Sequence, residues 1–185
     1  AMSFANAGIP VTLIETSEEQ LKRGMGVMQK NYEATAARGG IPADAPAKRM
    51  GLIKGVVGLE NVKDADLVIE AVFETMAVKK EVFEALDKHA KPGAVLASNT
   101  SYLNIDEIAK VTKRPQDVLG MHFFSPANVM KLCEIVRADK TAPDALVTAV
   151  SIARKIAKVP AVVGVCDGFV GNRMLRQRGV QSAYM

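Results

Sequence analysis

Short apolar runs alternate with amphipathic stretches along the chain. Val11 to Ile14 forms an apolar, β-branched run that ends at Glu15. Ser17 then reads as an N-cap, opening a helix towards Arg38 that Gly39-Gly40 stops. Ile41 to Pro46 reads as a loop, Ala47 to Leu52 as a helical turn, and Val56 to Leu59 as a short strand. Leu67 to Val72 predicts a further strand. From Val78 to Ala90, Val78, Val82, Phe83, Leu86 and Ala90 share one helix face, and Lys91-Pro92-Gly93 closes it. Ala94 to Ala97 predicts a strand and Ile105 to Val111 a short helix. Val118 to Phe124 and Leu132 to Val136 predict two strands joined by a loop that carries Pro126. A helix opens at Pro143, Val159 to Val165 forms another strand, and the chain turns helical and basic from Phe169.

Strand alternating with helix implies an α/β protein with a parallel, doubly wound sheet. Such sheets carry their ligands at the carboxyl ends of the strands. That rule selects Glu15, Val72 to Glu74, Asn99 to Ser101, His122 and Asp167 to Asn172. A dinucleotide-binding unit begins strand, Gly-x-Gly-x-x-Gly, helix, strand, acidic residue. Ala1 to Ala7 followed by the strand ending in Glu15 corresponds to the second half of that unit. The first strand and glycine loop are expected to be missing, with domains at 1–167 and 168–185. Gly24-Met25-Gly26 does not replace the loop: it lies in a helix, and Gln29 stands where the third glycine belongs.

The net charge of +4 is dispersed, and only 5% of residues are aromatic, so a nucleic-acid surface of basic stripe and stacking rings is not expected. No uninterrupted apolar run reaches the roughly 18 residues that would suggest a membrane span. Cys133 and Cys166 lie in apolar stretches without ligand-type neighbours, and read as reduced core residues rather than as a metal site.

Two histidines are present. His89 sits among lysines near a helix end and reads as a surface residue. His122 ends an apolar strand. Glu134 interrupts the apolar stretch Val129 to Val136, where an unpaired carboxylate would be costly. A hairpin-like return of the chain would bring it towards His122. Asn99 and Ser101 add neutral polar groups at the same sheet edge, or cap the helix that begins near Ile105.

Four blocks then carry a resemblance: Ser98-Asn99-Thr100-Ser101, His122-Phe123-Phe124-Ser125-Pro126, Met130-Lys131-Leu132-Cys133-Glu134, and Asp167-Gly168-Phe169-Val170-Gly171-Asn172-Arg173. In order and spacing they resemble the L-3-hydroxyacyl-CoA dehydrogenase family, over essentially the whole chain. The Phe-Phe-Ser-Pro form looks most like the dehydrogenase part of multifunctional fatty-acid oxidation enzymes. The resemblance implies a Rossmann-type sheet, lacking its first strand, followed by the start of a helical domain. It implies NAD as cofactor and an acyl-CoA substrate, in a parent that is a dimer or a multifunctional chain.

For single residues, the resemblance implies that His122 is the base and Glu134 the carboxylate that orients it. Ser101 binds the 3-oxygen beside the nicotinamide, and Asn172 holds the substrate near its thioester. Glu15 meets the adenine ribose. Val72, Phe73, Glu74 and Lys79 run beside the cofactor. Ser125 stands where relatives with Asn contact the nicotinamide end. The setting expected is cytoplasmic, with peroxisome or mitochondrial matrix as alternatives. Two other readings stay open: a related hydroxy-acid or hydroxybutyryl-CoA dehydrogenase, and a non-catalytic fragment that keeps the fold.

Overall fold

The computed structural model describes residues 1–184. They form two compact units, one of residues 1–63 and one that begins at Asp64. In the first, helix α1 (Met2–Asn6) leads into strand β1 (Val11–Glu15), helix α2 (Glu18–Ala37), helix α3 (Ala45–Met50) and strand β2 (Ile53–Val57). Ser17 caps α2 by accepting a hydrogen bond from the Gln20 N–H at 3.3 Å. β1 and β2 pair in parallel, with Glu15 opposite Val57.

β2 begins three residues earlier than the Val56–Leu59 run suggests, and Gly58 ends it with a φ of +99°. Gly55 explains the disguise. A Cβ there would stand 2.8 Å from Leu21 Cδ1, so the close approach of α2 demands a residue with poor strand propensity.

The second unit contains β3 (Leu67–Glu70), α4 (Met76–His89), β4 (Val95–Ser98), α5 (Ile105–Ala109), β5 (Val118–Phe123), β6 (Leu132–Arg137), α6 (Pro143–Lys155), β7 (Val159–Gly164) and α7 (Gly171–Ser182). Its five strands lie in the order β3-β4-β5-β6-β7. β3 stops before Val72 because the Val72 N–H donates to the Glu70 carboxylate at 2.7 Å.

The sheet is mixed, not wholly parallel. β5 and β6 are antiparallel, and the other neighbouring strands run parallel. The connection between β5 and β6 has no helix to cross over the sheet, so the chain returns as a hairpin. β7 therefore runs against β3, β4 and β5. Its carboxyl end lies at the far edge, and 165–170 must fold back to bring the start of α7 to Glu134. The carboxyl-end rule thus picks out Asp167 to Asn172 for the wrong reason.

One layer of the core lies between this sheet and α6, and Phe83, Leu86, Ile105 and Ile108 of α4 and α5 are buried besides. Ala145, Ala149 and Ala153, four residues apart, share the buried face of α6. They pack with Val95, Ala97, Leu119, Met121, Cys133 and Ile135. Cys133 is buried, and burial pushes its thiol up to about 12. Cys166, expected in the core, is only half-buried, and its thiol donates to the Phe169 carbonyl at 3.3 Å.

Pro160 faces Cys133 in register on the edge strand β7. The Val159 N–H donates to Lys131 O at 2.8 Å, so residues 159, 161 and 163 turn their backbone groups to β6. The missing N–H of Pro160 falls on the outer side and breaks no ladder bond.

Gly120, opposite Val136, is where β5 tolerates no side chain. A Cβ would meet Val136 Cβ at 2.8 Å and Ile105 Cδ1 at 3.2 Å. Gly120→Ala is expected to destabilise the protein by about 1–3 kcal/mol through overpacking. Urea titration should show a lower midpoint with an unchanged m-value. A midpoint equal to wild type would mean that the sheet relaxes freely at this point.

Candidate active site

His122 and Glu134 are direct cross-strand partners in the β5–β6 ladder. The register thus places both side chains on one face of the sheet. His122 Nδ1 lies 2.8 Å from Glu134 Oε2, with the two residues 3% and 1% exposed. The second carboxylate oxygen, Oε1, accepts the N–H groups of Val170 at 3.0 Å and Gly171 at 2.8 Å. These belong to the first turn of α7, whose amides have no partner within the helix and whose dipole favours a negative charge. An ionised carboxylate only accepts hydrogen bonds, so Nδ1 of His122 carries the proton. In the neutral ring Nε2 then keeps its lone pair. Nε2 bonds to no described residue and is not sealed from solvent.

Two rings hold the imidazole. Phe124 lies 4.4 Å from it between centroids and Phe169 5.7 Å, both tilted. Phe169 is wholly buried, with a φ of +47° that side chains disfavour. Strain of this kind costs roughly 1–3 kcal/mol and is kept only where the surroundings enforce it. Gly168 before it has a φ of +71°. Gly171 after it leaves room for Phe124, whose ring would stand 2.6 Å from any Cβ at that position.

At the ends of β3 and β4 lies a second polar group. Glu70, at the end of β3, accepts from Val72 N, Lys79 Nζ and Ser98 Oγ, each at 2.7 Å. Lys79 also reaches Glu74 Oε2 at 3.2 Å. Glu74 Oε1 accepts the Thr100 hydroxyl, the Ser101 N–H at 2.7 Å and the Tyr102 N–H at 3.3 Å. The Ser101 hydroxyl itself bonds to no described residue, and Ser101 is half-buried. Asn172 Nδ2 donates to the Ser101 carbonyl at 3.4 Å. Asn99 Oδ1 accepts the Phe123 N–H at 2.8 Å, tying β4 to the strand of His122.

The structure therefore brings His122, Glu134, Ser101, Asn172, Glu74 and Lys79 into one hydrogen-bonded series. Lys79 is 0% exposed, so it shapes this segment from beneath through the two glutamates. Val72 and Ser125 are exposed, as is Phe73 at 83%. Glu15 ends β1 in the first unit, half-buried. His89 is exposed. Sequence reasoning assigns no role to Glu70, Ser98 or Thr100. A carboxylate inside an apolar run is the signal that singles out Glu134, and Glu70, within the Leu67 to Val72 run, carries it equally well.

The model of the "3-hydroxyacyl-CoA dehydrogenase, NAD binding domain" family matches residues 1–166. The chain belongs to this family. It is 44% identical over 184 residues to the peroxisomal bifunctional enzyme of Danio rerio, covering all of this chain and 25% of the relative. The chain thus spans about a quarter of the length of the curated relatives it matches. The dehydrogenase part of multifunctional enzyme 1 from C. elegans superposes with a TM-score of 0.82 at 34% identity, over 98% of this chain and 42% of that one. For 3-hydroxybutyryl-CoA dehydrogenase from Escherichia coli the TM-score is 0.92 at 32% identity, over 95% and 37%. The family binds NAD, and the NAD-binding Rossmann-like fold is that of this chain. The expected cytoplasmic setting is overturned: curated relatives from fish, mammals and plants are named as peroxisomal or glyoxysomal enzymes. Nothing in composition or charge separates those compartments. Among the described residues no helix is long and apolar enough to cross a membrane.

Burial alone would raise the Glu74 carboxyl. The Thr100 and Ser101 hydrogen bonds and the Lys79 charge outweigh it and hold the group below its ordinary value of 4.5. A carboxyl depressed in the folded state stabilises the fold above its unfolded pKa, and that contribution fades as pH falls through the folded one. Glu74→Gln should therefore be less stable than wild type near neutral pH, with the gap closing below the ordinary carboxylate range. Urea midpoints for both proteins from about pH 7 down to about pH 3 measure this. A gap that stays constant with pH would contradict the assignment.

Proposed function

We propose that this chain is the base-carrying, NAD-binding part of an enzyme that oxidises L-3-hydroxyacyl-CoA to 3-oxoacyl-CoA in fatty-acid β-oxidation. The observation that carries the proposal is the His122–Glu134 pair at 2.8 Å, with Nε2 left free to accept a proton. The likeness to the Escherichia coli 3-hydroxybutyryl-CoA dehydrogenase supports a second reading, in which the acyl group is short. A peroxisomal setting in a multifunctional parent fits the names of the curated relatives.

Oxidising a secondary alcohol removes a proton from oxygen and a hydride from carbon. NAD, when bound, supplies the hydride acceptor. The unbonded Ser101 hydroxyl, the exposed Val72 and Phe73, and Ser125 fit the nicotinamide end of such a cofactor. Glu15, at a strand terminus, fits its adenine ribose. The Nε2 atom of His122 takes the proton from the 3-hydroxyl. Glu134 stabilises the imidazolium that results, in a setting where charge–charge attraction is weakly screened. Ser101 can hydrogen-bond the 3-oxygen as alcohol and as ketone. Phe124 and Phe169 keep the imidazole from turning. Asn172, already bonded to the Ser101 carbonyl, lies beside the oxygen-binding group and is assigned to the substrate.

His122→Gln in the full-length protein is expected to lower kcat by about 10² to 10⁴-fold, the usual contribution of a general base. Glu134→Gln is expected to be more damaging than loss of charge alone. Its single amide oxygen cannot serve both His122 and the α7 amides. If it stays with Val170 and Gly171, the amide NH₂ faces Nδ1 and forces the proton onto Nε2, the tautomer that cannot act as base. NADH formation with a series of 3-hydroxyacyl-CoA chain lengths tests both variants and separates the two readings of the substrate. A fully active His122→Gln would end the proposal.

Substituting Glu15 with Gln should raise the KM for NAD while leaving kcat within about twofold, because uniform binding energy is lost rather than transition-state stabilisation. An unchanged KM would remove Glu15 from the ribose.

A further inference from the structure

The connection from Phe124 to Lys131 carries Ser125, yet every side chain from Ser125 to Met130 is exposed. Apolar burial contributes little to its shape. Inside it, Val129 N–H and Met130 N–H both donate to the Pro126 carbonyl at 2.9 Å, which makes a tight local turn. What joins the turn to the rest of the protein comes from another element. Lys158 lies just before β7, only 8% exposed, and its ammonium donates to the Ala127 carbonyl and to the Met130 carbonyl, the latter at 2.6 Å. The adjacent Val159 N–H donates to the Lys131 carbonyl at 2.8 Å.

The end of α6 delivers this lysine. Ala157 adopts a φ of +60°, and the Lys158 N–H returns to the Ala153 carbonyl at 2.9 Å, closing the helix in a left-handed cap. Glycine is the usual residue there, so alanine carries strain, on the order of 1 kcal/mol. The chain that leaves the cap places the ammonium under the turn. Lysine chemistry suits this position. Its compact charge and rotatable donors meet two converging carbonyls, where a planar guanidinium matches carboxylates better.

We propose that Lys158 is a positioning residue, which clips the 124–131 connection from below and so holds Ser125 where the nicotinamide end of the cofactor is to be met. This rests on the dehydrogenase reading above. The hydrogen bond that fixes the His122 proton comes from Glu134, itself held by the α7 amides, all outside the connection, so the clip acts on cofactor placement more than on the base.

The test uses the full-length protein with Lys158→Met and Lys158→Arg, folding being confirmed by circular dichroism. Hydrogen exchange at the Val129 and Met130 amides, measured without cofactor, reports the clip alone. Steady-state kinetics report its consequence. Lys158→Met should exchange these amides faster and raise the KM for NAD roughly tenfold, as loss of charge-assisted hydrogen bonds implies, with kcat changed by less than about threefold. Lys158→Arg should fall between. A merely structural role would lower the amount of active enzyme, and with it kcat, at constant KM. That result, or faster exchange with both constants unchanged, overturns the proposal. If Lys158→Met does not fold, the same two measurements on Lys158→Arg decide the matter. A wild-type protein that forms no NADH would refute the dehydrogenase reading instead, and the exchange data would still report on the clip.

Discussion

A carboxylate at the centre of a sheet is the constraint around which this site is arranged. Glu134 is 1% exposed. The effective cost of removing such a charge from water is several kcal/mol even after relaxation. Three donors offset it: one imidazole N–H from the neighbouring strand and two amides from the start of α7. Each donor comes with a structural demand. The imidazole requires β5 and β6 to be antiparallel and in register. The amides require the chain after β7 to fold back and begin a helix at Glu134. Gly168, Phe169 and Gly171 meet that demand with two positive φ values and one absent side chain.

The same hydrogen bonds link groups of different chemistry. Asn172 follows directly on Gly171 and reaches the Ser101 carbonyl. The Ser101 N–H is held by Glu74, and Glu74 by Lys79, which is anchored on Glu70. A displacement of α7 would therefore disturb the tautomer of His122 and the position of Ser101 together. Such coupling is strongest at the buried ends of the series, Glu134 with His122 and Glu70 with Lys79, because there losing one partner costs most, and weaker across Ser101 and the exposed Glu74 between them.

Much of this is legible in the residues. Periodicity locates the helices and most strands, and one carboxylate inside an apolar run points to a partner on a hairpin return. The differences have physical causes. β2 departs from its apolar run because Gly55 serves helix packing rather than strand propensity. β3 is shorter than its apolar run because the Glu70 side chain takes the Val72 N–H, a competition that no periodicity displays. Strand direction after β5 breaks the parallel pattern because the connection there is too short to cross the sheet. Lys158 carries no signal at all. A lysine before a strand looks solvated until the distant carbonyls it meets are known.

Pro160 has an effect beyond its own ladder. β7 is the edge of the five-stranded sheet, with Val159 and Val162 exposed along it. An open apolar edge is a template on which a foreign strand can add itself. An incoming strand needs a regular series of donors, and Pro160 deletes one from the outward row. The added strand would have to leave an acceptor unmatched at its first step. The residue thus guards the sheet against self-association at no cost to the strand it belongs to.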